Sequence, residues 1–135
     1  MDNYDAMATT AAAAGLVTFL LVFLVVMLIF GIFMLFCNYK LFIKAGYYGW
    51  KAIIPFYNMY IMTQFTLGNG WLILLTFVPL VNFVFLFYLY YKLGVAFRTG
   101  VLMLVALFLF PYIALPVIAL SKSYQYQGDF PGYDI

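Results

Sequence analysis

The stretch Lys40-Leu-Phe-Ile-Lys44-Ala-Gly-Tyr-Tyr-Gly-Trp50-Lys51-Ala-Ile-Ile-Pro55-Phe-Tyr-Asn58 carries three of the chain's six basic residues and lies between long hydrophobic runs. On its amino-terminal side, Leu16 to Cys37 is uncharged. Some 22 helical residues rise roughly 33 Å, enough to cross a hydrocarbon layer of about 30 Å. Asn38, Tyr39 and Lys40 then supply an interfacial aromatic and a charge, so the first helix is expected to end there. Lys40, Lys44, Trp50 and Lys51 read as anchors on the cytoplasmic face, which sets the amino terminus outside.

Composition agrees with a membrane setting. Hydrophobic residues make up 69% and charged residues 7% of the 135, and the mean hydropathy is +1.11. So little polar surface cannot cover a water-soluble globule of this size. All four acids, Asp2, Asp5, Asp129 and Asp134, lie in the tails, and the net charge of +2 is scattered between apolar runs. Such sparse charge is no nucleic-acid footprint. The acidic start is also wrong for a cleaved secretory leader, so the first helix is expected to remain.

Beyond the basic loop, Ala52 to Leu67 is interrupted by Pro55, Asn58, Thr63 and Gln64. Started from Tyr48, with Lys51 reaching back to the headgroups, it is just long enough to span. The rival is a re-entrant or interfacial helix with Pro55 in its first turn, where the missing N–H costs nothing. If it spans, Lys40, Lys44, Lys51, Lys92 and Arg98 share one side and Lys122 is opposite, five to one; otherwise the split is four to two. The positive-inside rule therefore selects an all-α bundle of four transmembrane helices in one domain, over about 14–37, 49–67, 71–91 and 100–120, with both termini outside. Gly68-Asn69-Gly70 is the turn between the second and third helices, and residues 121–135 form a polar tail without a core of its own.

One local pattern occurs twice: Pro55 with Asn58, and Pro79 with Asn82, 24 residues apart. Inside a helix, proline frees the carbonyl four residues back, and an asparagine three residues on shares its face. In lipid such groups must find partners within the protein, so Asn82 is expected to bond a neighbouring helix. A second reading makes the two interrupted helices frame a small-solute site. Pro111 and Pro116 are expected to kink the last helix.

Histidine and glutamate are absent and cysteine occurs once, which excludes a metal site of nitrogen and sulfur ligands and a histidine-held haem. Cys37 reads as a small hydrophobe facing lipid or an interface, at a position that permits palmitoylation. No acid lies within an expected span, and the two serines, Ser121 and Ser123, flank Lys122 with no base near them. No catalytic, cofactor or metal residue is assigned.

Lys44-Ala-Gly-Tyr-Tyr-Gly-Trp-Lys-Ala-Ile-Ile-Pro-Phe-Tyr-Asn58, followed by Val78-Pro-Leu-Val-Asn82 and Ser121-Lys-Ser-Tyr124, resembles a family of small bacterial membrane proteins of uncharacterised function, over roughly Phe36 to Tyr124. Automatic assignment often labels that family signal peptidase I. Such peptidases use a serine nucleophile and a lysine base in a sizeable β-rich domain, and no residue here matches that machinery. The resemblance implies a helical protein of the bacterial cytoplasmic membrane and no known substrate.

The expected function is therefore that of a non-enzymatic accessory subunit, packed against its own copies or other membrane subunits in the bilayer. Nucleic acid and metal are not expected as partners. Gly15 and Gly31 permit close helix approach along the first helix. The alternative is a small-solute channel or carrier at the paired proline–asparagine breaks, with a membrane-embedded enzyme as a third, disfavoured class.

Overall fold

Glycine and proline, more than hydropathy, decide where the helices start and stop. The computed structural model describes residues 2–132, all-helical with no strand among them. Met1 and Asp134, the latter one of the tail acids, fall outside the described residues.

The first helix, α1, runs Asn3–Lys44, 42 residues without a break. It starts well before residue 14 and passes straight through Asn38, Tyr39 and Lys40, where an end was expected. Those three are polar or interfacial but break no helix, and isolated interior glycines such as Gly15 and Gly31 cost only about 1 kcal/mol each. Residues up to 33 form one unit, exposed on every face. The second unit, from residue 34 onward, contains all the buried residues among those described.

Within the second unit, the segments expected as spans are each divided. Residues 49–67 become a 3-10 turn, Gly49–Ala52, and α2, Pro55–Leu67, of 13 residues. At roughly 20 Å, α2 is too short to cross a bilayer. The segment 71–91 becomes a 3-10 helix, Gly70–Phe77, followed by α3, Pro79–Ala96. The last segment splits into α4, Val101–Leu109, and α5, Pro111–Leu120. Pro111 separates two helices instead of kinking one; Pro116 alone lies inside a helix. Two helices, α1 and α3, are long and apolar enough to cross a membrane.

The prolines have one physical role in common. Pro55, Pro79 and Pro111 each occupy the first turn of a helix. There the ring presets φ and the missing N–H would have had no partner anyway. Ile54 and Val78 before them are extended, with ψ of 114° and 111°, as the steric clash with the following ring demands.

Three helices end in the same way. After α1 the N–H of Gly46 bonds Ile43 O and that of Tyr47 bonds Phe42 O, with Gly46 at φ +85°. After α2, Gly68 takes φ +81°. After α3 the N–H of Arg98 bonds Val95 O and that of Thr99 bonds Gly94 O, with Arg98 at φ +47°. The left-handed residue in such a cap is ordinarily glycine, and a side chain there costs roughly 1–2 kcal/mol. Arg98 is the non-glycine exception among the described residues.

The core gathers where these ends meet. Phe42, Phe65, Phe97, Leu93 and Ile118 are fully enclosed there. The ring of Phe65 meets Phe42 and Phe97 edge-on at 5.6 and 6.5 Å, an arrangement aromatic quadrupoles favour. α2 packs on the 3-10 helix and α3, and α4 packs on α3 and α5.

Candidate functional site

Lys44 closes α1, and its ammonium ends among backbone carbonyls of the opposite end of the sequence. It donates to Ile118 O at 2.6 Å, Ser121 O at 2.5 Å and Tyr124 O at 2.9 Å. An ammonium has three donors and no acceptor, so all three are used. The bonded carbonyls belong to the last turn of α5 and the chain just beyond it. A cation there satisfies orphan acceptors and complements the negative end of the helix dipole.

That contact changes the arrangement of the anchors. The five-to-one charge split put Lys44 and Ser121–Tyr124 on opposite sides; the structure puts them in one cluster. The chain after α5 then runs as a strap over the ends of the other helices. Tyr126 donates its phenol to Phe65 O at 2.7 Å, Gln127 N–H bonds Ala96 O at 2.7 Å, and Gly132 N–H bonds Ala45 O at 2.8 Å. A Cβ on Gly46 would stand 2.6 Å from Gly132 O, so glycine is required there for approach as well as for its φ. The Tyr126 ring packs edge-on against Phe65 at 5.9 Å and Phe97 at 5.5 Å. Burial pushes its hydroxyl up to about 12, so it stays a donor at any physiological pH.

Residues 121–132 are thus a docked part of the fold, where a polar extension was expected. One sequence signal could have found this. In Tyr124-Gln-Tyr-Gln-Gly128, aromatic and polar residues alternate with the period of an extended chain that buries one face.

The remaining anchors gather at the same end. The ammonium of Lys40 lies 5.7 Å from the Phe36 ring centre, that of Lys92 5.7 Å from Tyr88, and that of Lys51 5.5 Å from Tyr47. Trp50 stacks on Tyr57 at 6.4 Å, with about half its surface exposed. Arg98 follows α3, and Lys122 follows α5. All six basic residues therefore lie on segments that meet at one end of the second unit.

The proline–asparagine pairs prove to be a repeated helix start. The N–H of Asn58 bonds Ile54 O and that of Asn82 bonds Val78 O, both at 2.7 Å, closing the first turn behind each proline. The expected bond from the Asn82 side chain to a neighbouring helix is not formed: its Oδ1 is buried with no hydrogen-bond partner. Next to Pro55 and Phe77 lies a cleft of about 500 Å³, lined by residues such as Ile54, Phe56, Tyr60, Trp71 and Leu74, whose surface facing the cleft is apolar. Cys37, expected to face lipid or an interface, is 2% exposed and packs in the core. Gly15 and Gly31 have open space where a Cβ would stand.

A model of a family of unknown function, DUF5684, matches residues 50–129, more than half of the chain. The matched region takes in α2 to α5 and most of the strap, including Tyr126 and Gln127, and leaves out α1. No curated protein and no solved structure matches the chain.

Proposed function

The chain belongs to DUF5684, a family of unknown function, and from that premise we propose that it acts as a non-enzymatic accessory subunit in a cytoplasmic membrane. One observation carries this reading. The most apolar 18-residue window of α1 has a mean hydropathy of 3.2 and is 0% buried. An apolar helix bare on all faces is covered by acyl chains, by another helix, or by both. In lipid there is no hydrophobic gain from helix association, so close packing at small residues decides whether a partner helix binds. Gly15 and Gly31 offer such positions, and open space around both leaves room for a neighbour.

In this reading the chain crosses the membrane fully once, through α1. α2, the 3-10 helix with α3, and α4 with α5 each enter from the cytoplasmic side and return to it. The six basic residues then lie together on the cytoplasmic side, a more one-sided distribution than the five-to-one split of four spans. The amino terminus is outside and the strap inside. Non-spanning helices at membrane depth are tolerated because their ends are bonded within the protein: Gln64 accepts from Gly70 N–H at 2.8 Å and donates to Gly68 O at 3.2 Å.

The unpartnered Oδ1 of Asn82 favours the second reading, a small-solute channel or carrier, since a passing solute would supply the missing donor. The wholly apolar cleft beside Pro55 and Phe77 favours the subunit. Native mass spectrometry of the protein released from nanodiscs separates the two. A Cβ added at Gly31 meets nothing within 4 Å, so Gly31→Leu should not lower the thermal midpoint of the monomer while it lowers the assembled fraction severalfold. A wild type that is monomeric at every concentration, with no bound protein partner, removes the subunit reading and leaves the solute reading in first place.

A further inference from the structure

Where α2 and α3 finish and the strap crosses them, Thr66, Lys92, Arg98 and residues 127–130 enclose a pocket of about 310 Å³. It is distinct from the Lys44 cluster, and the backbone of Arg98, not its side chain, serves the cap of α3. We infer that this pocket binds a phosphate ester, with the phosphate held by Lys92 and Arg98.

Three independent features point to an anion. Two cations face one concavity, and among the described residues no ion pair neutralises either of them. Thr66 lines the same pocket, is 6% exposed, and its Oγ1 is buried without a hydrogen-bond partner. Buried hydroxyls are nearly always bonded, so an unsatisfied one beside a cavity marks a missing ligand or water. Arg98 holds the left-handed position that glycine fills in the caps of α1 and α2. Strain accepted at a position where glycine would relieve it is a sign that the side chain is needed.

Asp129 also lines the pocket, from the strap side. Its carboxylate repels phosphate, which confines that group to the Lys92 and Arg98 wall. It accepts a hydrogen bond from a hydroxyl or ammonium elsewhere on the ligand. The chemistry is thus that of a phosphate ester whose alcohol carries a donor. A membrane lipid headgroup and a soluble glycerol phosphate share it. Basic pockets at the cytoplasmic ends of membrane helices are suited to headgroups.

The test uses the full chain, delipidated in a nonionic detergent at fixed ionic strength. Thermal unfolding is followed with phosphatidylglycerol, phosphatidylcholine or glycerol phosphate added, and retained lipid is counted by native mass spectrometry. Phosphatidylglycerol should raise the midpoint and be retained in one copy, whereas phosphatidylcholine, without net charge or a headgroup donor, should not. An equal rise with glycerol phosphate would identify a soluble ester as the occupant and still support the site. Lys92→Gln and Arg98→Gly should each weaken binding about tenfold, the value of one lost charge-assisted contact. Arg98→Gly should at the same time raise the midpoint of the ligand-free protein, because it relieves the backbone; loss of binding with a gain in stability cannot come from misfolding. The proposal is overturned if neither ester shifts the wild type, or if both variants bind as it does.

Discussion

Phe65→Ala should destabilise the second unit by about 2–4 kcal/mol, the largest effect of any single truncation in the chain. Phe65 is 0% exposed, and its ring meets Phe42, Tyr47, Phe97 and Tyr126 at centroid distances of 5.6 to 6.5 Å. Four rings from three regions remote in sequence, the end of α1 with the loop after it, the end of α3 and the strap, are therefore joined through this one side chain. Removing it leaves a cavity that none of the four can fill alone, and most of the cost is lost dispersion and edge-on ring contacts. Part of the transfer term seen for soluble cores is missing where the reference state is lipid, which is why the figure lies below the usual range for phenylalanine. Unfolding in mixed micelles with rising denaturing detergent measures it. Phe65→Leu, which keeps volume but no ring, should recover about half. A Phe65→Ala protein as stable as the wild type would mean that the ends of α1, α2 and α3 are not held by this cluster.

Lys44→Met should cost about 2–3 kcal/mol and free the strap. Methionine matches the length and apolar stem of lysine but donates nothing, so the carbonyls of Ile118, Ser121 and Tyr124 lose their shared partner. Hydrogen bonds to an ammonium are stronger than neutral ones, and stranded acceptors in a partly enclosed site carry the desolvation penalty as well. The readout is limited proteolysis between Lys122 and Phe130, which should become rapid in the variant while α3 and α4 stay protected. Cleavage at the wild-type rate would show that the strap is held by Tyr126 and Gln127 without help from α1.

How far these features could be read beforehand depends on whether the deciding forces are local. The apolar run of α1 and the clustering of Lys40, Lys44 and Lys51 are local, and both appear in the structure. The helix starts at Pro55 and Pro79 are local too, but they are ambiguous: within a continuous apolar stretch, an interior proline and a first-turn proline look alike. The extended Ile54 and Val78 resolve them, and backbone angles are not visible in composition. The partners of Lys44 lie 74 to 80 residues away, beyond the reach of any periodicity. The strap was obscured because glycine, proline and glutamine suggest a loose tail, although Tyr124 and Tyr126 alternate as a one-sided extended chain does.

The most direct test of the whole account is the side of the membrane on which the strap lies. In a Cys37→Ala background, single cysteines are placed by Asn3→Cys and by Ser123→Cys, the latter at an exposed strap position, and intact cells are treated with an impermeant thiol reagent. The account predicts labelling at position 3 and protection at position 123, with position 123 becoming reactive once the cells are opened. Labelling at position 123 in intact cells, with a cysteine at Lys92 protected, would restore four spans with both termini outside and contradict the clustering of Lys44 with the end of α5.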